Sequence, residues 1–404
     1  MTTNKVWIIE PRDPLIARDG KPFGMGASAT TLPFPFPSTT TGGVRTRAGL
    51  TNGSFIDSVG DPNEKLIQEV KKIAVRGALL VDLNKQGEIE NWFMPAPSDA
   101  LLLEDTSDKS KAEVKRLVPL NIHNGATNLK QEPHENDELV PLGLVDFDPN
   151  KPFGDAPRFW RWDRFKKWLL EPEKLTVTID VKELGHNGAV EDTRTHVAID
   201  PNSWTSLEGQ LFQTRGLEFT HSTGKGLNHA QRLGLAINVE DHQLARQIRS
   251  GLAPLGGERR IVAWRESKKQ LPDECLGKIQ EKVAIDKTCR VVLLTPACFM
   301  QGSRPTWLLT PQHNVTVTLQ SIATGRAQVV SGWDFEIRKP KPTRRLAPAG
   351  SVYFLKLQGK ETDIKTWVEK TWMQCVSDED QDRCDGFGLA VVGVWDGILH
   401  EMKF

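Results

Sequence analysis

Cysteine is absent from the first 274 of the 404 residues, and the five that follow (Cys275, Cys289, Cys298, Cys375 and Cys384) form no Cys-x-x-Cys pair. An odd number at scattered spacings encodes neither a disulfide framework nor a structural zinc site. The chain therefore reads as a reduced, cytoplasmic protein with no metal and no cofactor. Long apolar runs are missing as well. The stretch Val6 to Ile9 is too short for a signal peptide, and no later segment approaches the ~20 apolar residues that span a bilayer. Nor does one sign of charge prevail, since Lys plus Arg total 52 and Asp plus Glu total 52. This excludes a uniformly basic nucleic-acid coat and a polyanionic tail, but not a binder whose charges are segregated along the chain. Hydrolytic motifs are lacking too: there is no His-Glu-x-x-His and no Gly-x-Ser-x-Gly. Thr223-Gly224-Lys225-Gly226 fails as a phosphate loop, because Phe219 stands where the first glycine belongs and Gly226 replaces the Ser/Thr. Asp378 to Asp382 fails as a calcium loop, because its sixth position is Arg383.

What is present points to a packed, two-part α+β protein. Hydrophobic residues make up 38% and charged residues 26%, enough for a core, and 404 residues favour two domains. Strands are predicted at Lys5 to Glu10, Val75 to Leu83, Trp92 to Leu103, Gly209 to Phe219 and Arg232 to Val239, with Leu175 to Val181 and Thr193 to Ile199 as a hairpin. Helices are predicted from near Ser38, where hydroxyls follow Leu-Pro-Phe-Pro-Phe-Pro, and over Arg158 to Leu170. The polar composition around 104–157 marks a long insertion, and the Gly/Pro segment 251–258 marks a boundary. Further strands are predicted at Arg260 to Trp264, Arg290 to Thr295, Val315 to Gln320, Val329 to Phe335, Ser351 to Leu357 and Leu389 to Trp395. A helix face of Ile364, Trp367, Val368, Trp372 and Cys375 completes this half. The domains are thus 1–255 and 256–404.

Several constellations carry more than one reading. Arg12, Arg18 and Lys21 in a Pro/Gly loop, with Ser38, Thr39 and Thr40 ahead of Arg45 and Arg47, fit an anion site at a helix start; they equally fit a capped helix with solvated arginines. The run Arg338 to Arg345 fits phosphate binding, a solvated hairpin tip or an acidic partner. Arg158, Arg161, Arg164 and Lys167 oppose a face of Phe159, Trp162, Phe165 and Leu169, either as a solvated side of a buried helix or as a contact in which Trp160 takes part. His221, Lys225 and His229 are the chemistry RNA cleavage would use, although a Gly-flanked loop favours surface or RNA-contacting roles. Gly386-Phe387-Gly388 permits a close backbone approach or simply a tight turn.

Taken together these pieces resemble one family. Glu10-Pro11-Arg12-Asp13-Pro14-Leu15, Ala17 to Gly24, Pro33 to Gly43 and Arg45 to Gly49 are similar to the start of a type III-B CRISPR effector subunit. It is the RAMP-superfamily member of the Cmr complex at the 5′ end of the guide RNA. Trp92 to Leu103, Gly209 to Phe219, Leu255 to Arg259 and Gly386 to Gly393 continue the resemblance in order. The resemblance implies tandem ferredoxin-like (RRM-like) domains, with a β-hairpin thumb in the first. That thumb lies within 175–219, its tip at Gly185 to Gly188 or at Asn202 to Trp204. Further implications are binding of the repeat-derived crRNA 5′ handle without catalysis, and docking to the large polymerase/cyclase-like subunit and an adjacent backbone RAMP subunit, with target RNA met indirectly. The implied RNA contacts are Arg12, Arg18, Lys21, Ser38, Thr39, Thr40, Arg45, Arg47, Arg215, Lys225, Gly386, Phe387 and Gly388. An RNA-processing endonuclease of the same superfamily, metal-independent, is the alternative.

Overall fold

The structure is a computed structural model that describes residues 4–18, 31–56, 60–105, 108, 110–121, 139–222, 230–334 and 339–402. The chain forms two compact units, each assembled from separate stretches: 1–90, 188–270 and 329–345 in the first, and 91–187, 271–328 and 346–404 in the second.

In the first unit the strand Lys5–Pro11 is central. Ala230–Val239 and Arg260–Glu266 flank it, Val75–Leu83 lies beyond the former and Gly251–Leu255 beyond the latter, all antiparallel. A strand covered on both faces must be apolar at successive positions, which is why Val6, Trp7, Ile8 and Ile9 are all buried. Helix Pro37–Asn52 lays Thr40, Val44 and Ala48 inward. Its Gly43 lets the backbone come so near the sheet that an added Cβ would meet Leu255 Cδ1 at 2.6 Å and Trp264 at 3.3 Å. The helix begins earlier than the hydroxyl cluster predicts. Pro37 occupies the first turn with its φ already set, Phe36 is the N-cap residue, and no side chain caps it.

The strands Val190–Ile199 and Ser206–Glu218 pair with each other as a two-stranded ribbon. Its tip is the turn 200–205, closed by the Asp200 N–H on the Thr205 carbonyl at 2.9 Å, with Trp204 left-handed (φ 58) and 83% exposed. Asn202 to Trp204 lies in this turn, whereas Gly185–His186 is a strand paired with Phe159 and Trp160. The predicted pairing of Thr193 to Ile199 with Leu175 to Val181 is corrected, because Thr176–Asp180 pairs with Lys111–Arg116 instead. Alternation identifies a strand but not its partner.

The second unit carries a sheet in the order Thr316–Ala323, Val352–Gln358, Thr288–Leu293, Leu389–Val394, Gln374–Cys375. Helix Glu361–Thr371 buries Ile364, Trp367 and Val368, as its periodicity predicts, and packs against helix Leu276–Asp286. The predicted single strand Trp92 to Leu103 is two, Ile89–Pro95 and Ala100–Glu104, since Pro95 and Pro97 remove successive ladder donors. The predicted helix from Arg158 starts at Trp162; Phe159–Arg161 is a strand paired with Phe93 to Pro95.

Trp160 is 1% exposed, so the Trp-rich side of this segment is core and offers no docking face. Beneath it, Asp99 is fully buried. It accepts the Trp168 indole N–H at 2.8 Å and a bond from Arg290, with Arg116 Nη1 at 3.7 Å. Arg116 also donates to the Trp168 and Glu171 carbonyls at 3.1 and 3.2 Å and lies 3.6 Å above the Trp168 ring. Desolvation, and then repulsion from Arg290, push the Arg116 guanidinium well below its ordinary pKa, with Asp99 opposing them. Removing the single carboxylate strands two buried cations. Asp99→Ala is expected to destabilise the protein by about 3–5 kcal/mol, readable as a lower urea midpoint at unchanged m-value.

Candidate nucleic-acid interface

The motif-rich amino-terminal segment is clamped between two other parts of the first unit. Leu15 exchanges backbone hydrogen bonds with Leu217 of the ribbon (2.9 and 2.8 Å), and the Ile16 carbonyl accepts the Gly257 N–H at 2.7 Å. Further back, the Arg12 N–H donates to the Ile261 carbonyl at 2.9 Å. Contact with the ribbon is close enough that a Cβ on Gly216 would meet Pro14 at 2.6 Å. This clamp brings Arg18, Arg215, Arg259 and Arg260 onto adjoining segments. Arg18 faces Glu258 at 3.8 Å, Arg260 meets the same carboxylate at 2.8 Å, and Arg215 faces Glu191 at 3.5 Å. Arg259 is exposed on a turn in which Glu258 and Arg259 are both left-handed at φ 54. Such residues each cost roughly 1–3 kcal/mol, and the Leu255–Arg260 pairing holds them there.

The helix residues expected at the same site are placed differently. Ser38 is exposed and Thr39 partly so, but Thr40 is buried and its hydroxyl donates to the Pro37 carbonyl at 3.0 Å. Arg45 lies ~12 Å along the helix from Pro37 at ~1.5 Å per residue, and donates to the Ile73 carbonyl at 3.0 Å. Arg47 reaches the Arg249 carbonyl and lies 5.2 Å over the Trp264 ring; burial lowers its guanidinium pKa. These two arginines are thus engaged with the unit's own backbone, away from the helix start.

In the second unit, Phe387 is fully buried. Gly386 accepts the Thr295 hydroxyl at 2.8 Å, and Gly388 donates to the Pro296 carbonyl at 2.8 Å. Gly388 is left-handed (φ 80), and a Cβ there would meet the Ser377 backbone N at 2.9 Å, so the close approach this glycine allows is to its own chain. Lys21, Lys225 and His229 lie outside the described residues, as do Arg338 and the side chain of His221. Lys339 and Lys341 are exposed. Asp378 accepts the N–H groups of Met300 (2.8 Å) and Trp307 (2.7 Å), which gives the acidic run a local structural use. Among the described residues no group of His, Cys, Asp and Glu is disposed to hold a metal, and no helix is long and apolar enough to cross a membrane.

One cluster was not anticipated. Glu10 is buried at the end of the central strand. Its Oε1 accepts from Arg232 Nε (3.1 Å) and Nη2 (2.5 Å), its Oε2 from Arg265 Nη2 (2.7 Å), and Arg12 Nη2 stands at 3.5 Å. The available signal was a carboxylate closing an apolar strand, since a buried charge requires cations from neighbouring strands. Which strands would supply them was not readable.

Comparison with known proteins places the chain in the CRISPR-associated class. The family described as CRISPR-associated protein (Cas_Cmr3) matches residues 7–395, and the chain belongs to that family. The resemblance to a Cmr subunit carried by the amino-terminal motifs is borne out. Two similar solved structures are described as cryo-EM structures of the Type III-B Cmr-beta bound to cognate target RNA, one also with AMPPnP. Each is 15% identical, with 87% of this chain and 86% of that chain covered and a TM-score of 0.44. No curated protein matches.

Burial alone would raise the Glu10 pKa, but the hydrogen bonds and charges of Arg232 and Arg265 outweigh it and hold the carboxyl below its usual range. A depressed folded value contributes stability that is complete above the unfolded value of about 4.3 and is lost as pH falls through the folded one. Acidification below that range is therefore expected to lower the melting temperature of the native chain more than that of Glu10→Gln, with the Gln variant less stable at neutral pH. Parallel slopes in the two acid titrations would contradict this.

Proposed function

We propose that this chain is a non-catalytic subunit of a type III-B CRISPR effector, binding the repeat-derived 5′ handle of the crRNA and docking the large polymerase/cyclase-like subunit in the cytoplasm. The observation that carries the reading is the family match over residues 7–395, within which the motif segment Glu10 to Arg18 is fixed by backbone bonds beside Arg215 and Arg260. An adjacent backbone subunit completes the assembly, and target RNA is met through the guide.

Sheet order supports the tandem ferredoxin-like plan. Numbering the four principal strands of each unit along the chain, both sheets run 2-3-1-4 and are antiparallel: Val75–Leu83, Ala230–Val239, Lys5–Pro11, Arg260–Glu266 in the first, and Thr316–Ala323, Val352–Gln358, Thr288–Leu293, Leu389–Val394 in the second. A 3-10 turn at Ala245–Gln247 stands where the second crossover helix of the first unit belongs, and Leu276–Asp286 precedes the second unit's first strand. The ribbon Val190–Ile199/Ser206–Glu218 is the thumb of this reading.

Handle-length RNA should bind the purified chain with a salt-dependent affinity. Arg18→Ala and Arg215→Ala should each flatten the log K versus log salt slope by roughly 0.7, the single-strand value per phosphate contact. A nuclease would declare itself otherwise: cutting of repeat RNA in EDTA, abolished by His221→Ala, would replace the binding role with the endonuclease.

A further inference from the structure

Three guanidiniums gather on the one carboxylate of Glu10, leaving a local surplus of two positive charges. Arg232 is fixed by its bonds to Glu10 and by Nη1 on the Asn84 and Lys85 carbonyls (3.3 and 3.2 Å). Arg265 is fixed by Glu10 and by the Gly87 carbonyl at 2.9 Å, both through Nη2. Arg12 makes no closer side-chain polar contact among the described residues than Glu10 at 3.5 Å, and its side chain is 49% exposed. On the same turn Lys85 is exposed, while Glu88 faces Lys268 at 3.6 Å and so offers the trio no further neutralisation. An ordinary internal ion pair would balance; this one does not, and the directions of two of its three forks, Arg232 and Arg265, are already set.

We propose that Arg12, Arg232 and Arg265 form a phosphate subsite for a single-stranded RNA backbone, with buried Glu10 as the post that orients them. The inference rests on the RNA-binding reading above and assigns it a site outside the helix start. Planar guanidinium forks match phosphate oxygens, and Arg232 and Arg265, fixed before binding, lose little side-chain freedom on contact. Arg12 and Arg18 are six positions apart on one segment, a reach of up to ~20 Å at ~3.3 Å per residue. Cations at such intervals suit a polymer with repeating charge better than one small anion. Glu10 is also part of the amino-terminal motif, and this gives the carboxylate a role that a merely apolar strand end would not need.

The test uses the full-length chain and a fluorescent handle-length single-stranded RNA, with affinity measured across a salt series. Arg12→Gln removes the most exposed member and leaves Glu10 paired, so the fold should survive, as a circular-dichroism melt will record. Expected are a slope flattened by roughly 0.7 and about fivefold weaker binding at 0.1 M salt, the factor by which a slope of 0.7 separates 0.1 M from 1 M. Arg12→Lys should keep the slope. The paired change Glu10→Gln with Arg265→Gln, which strands no buried carboxylate, should flatten it by the same amount; if that protein unfolds, the two Arg12 variants decide alone. Wild-type slope and affinity in Arg12→Gln and in the folded paired variant would overturn the subsite while RNA binding stands. Absence of binding by the wild-type chain would overturn both. Unchanged RNA binding with lost co-purification of a protein partner would assign the trio to that partner and also overturn the proposal.

Discussion

Glu10 stands at the end of the central strand of the first unit, and its partners come from the strands on both sides, Arg232 from one and Arg265 from the other. The carboxylate, 2% exposed, would not be tolerated in the sheet without these cations. The contact therefore ties three strands by charge where backbone pairing alone would leave them free to slip. It also organises what surrounds it. The turn after Val75–Leu83 folds back so that carbonyls of Asn84, Lys85 and Gly87 receive the outer guanidinium donors, and Arg12 enters the segment that the ribbon and the 255–260 turn hold.

The second unit solves a similar problem with its arginines far more deeply buried. Asp99 serves two fully enclosed arginines, so the remaining donors must be met by neutral groups: the Trp168, Glu171 and Val394 carbonyls and the face of the Trp168 ring. Carbonyl dipoles and a π-face compensate a guanidinium only partly, and Arg116 accordingly feels desolvation more than it feels Asp99. What the arrangement gains is definition. The loop carrying Asp99, the strand ending at Arg116, the end of helix Trp162–Leu170 and the strands Thr288–Leu293 and Leu389–Val394 all meet at these side chains, and an apolar junction of five segments would have many near-equivalent packings.

Much of this was legible in the residues, for reasons that differ between elements. Val75–Leu83 and the helix face of Ile364, Trp367 and Val368 follow from periodicity, because burial acts on each such element independently. Partners do not follow from it: Thr193 to Ile199 alternates as a strand whichever neighbour it takes, and the turn 200–205 returns the chain so that Ser206–Glu218 is that neighbour. Prolines misled in both directions, ending a strand early at Pro95 and starting a helix early at Pro37. At the candidate interface the motif Glu10 to Arg18 was readable as a family signature. Its companions Arg232 and Arg265 were not, since they lie more than 200 positions away and only sheet order brings them there.

Overall neutrality then ceases to count against RNA binding. A net charge of zero is a sum over 404 residues, whereas a phosphate within a Debye length of about 8 Å responds to the charges nearest it. Around Glu10 that balance is two positive charges in surplus, before the exposed Lys85 is added. Asp378 is engaged elsewhere, on the backbone N–H groups of Met300 and Trp307. A chain of equal positive and negative totals can thus present a locally cationic surface where a carboxylate is drawn inward and the arginines around it stay partly exposed, as Glu10 is with Arg12, Arg232 and Arg265.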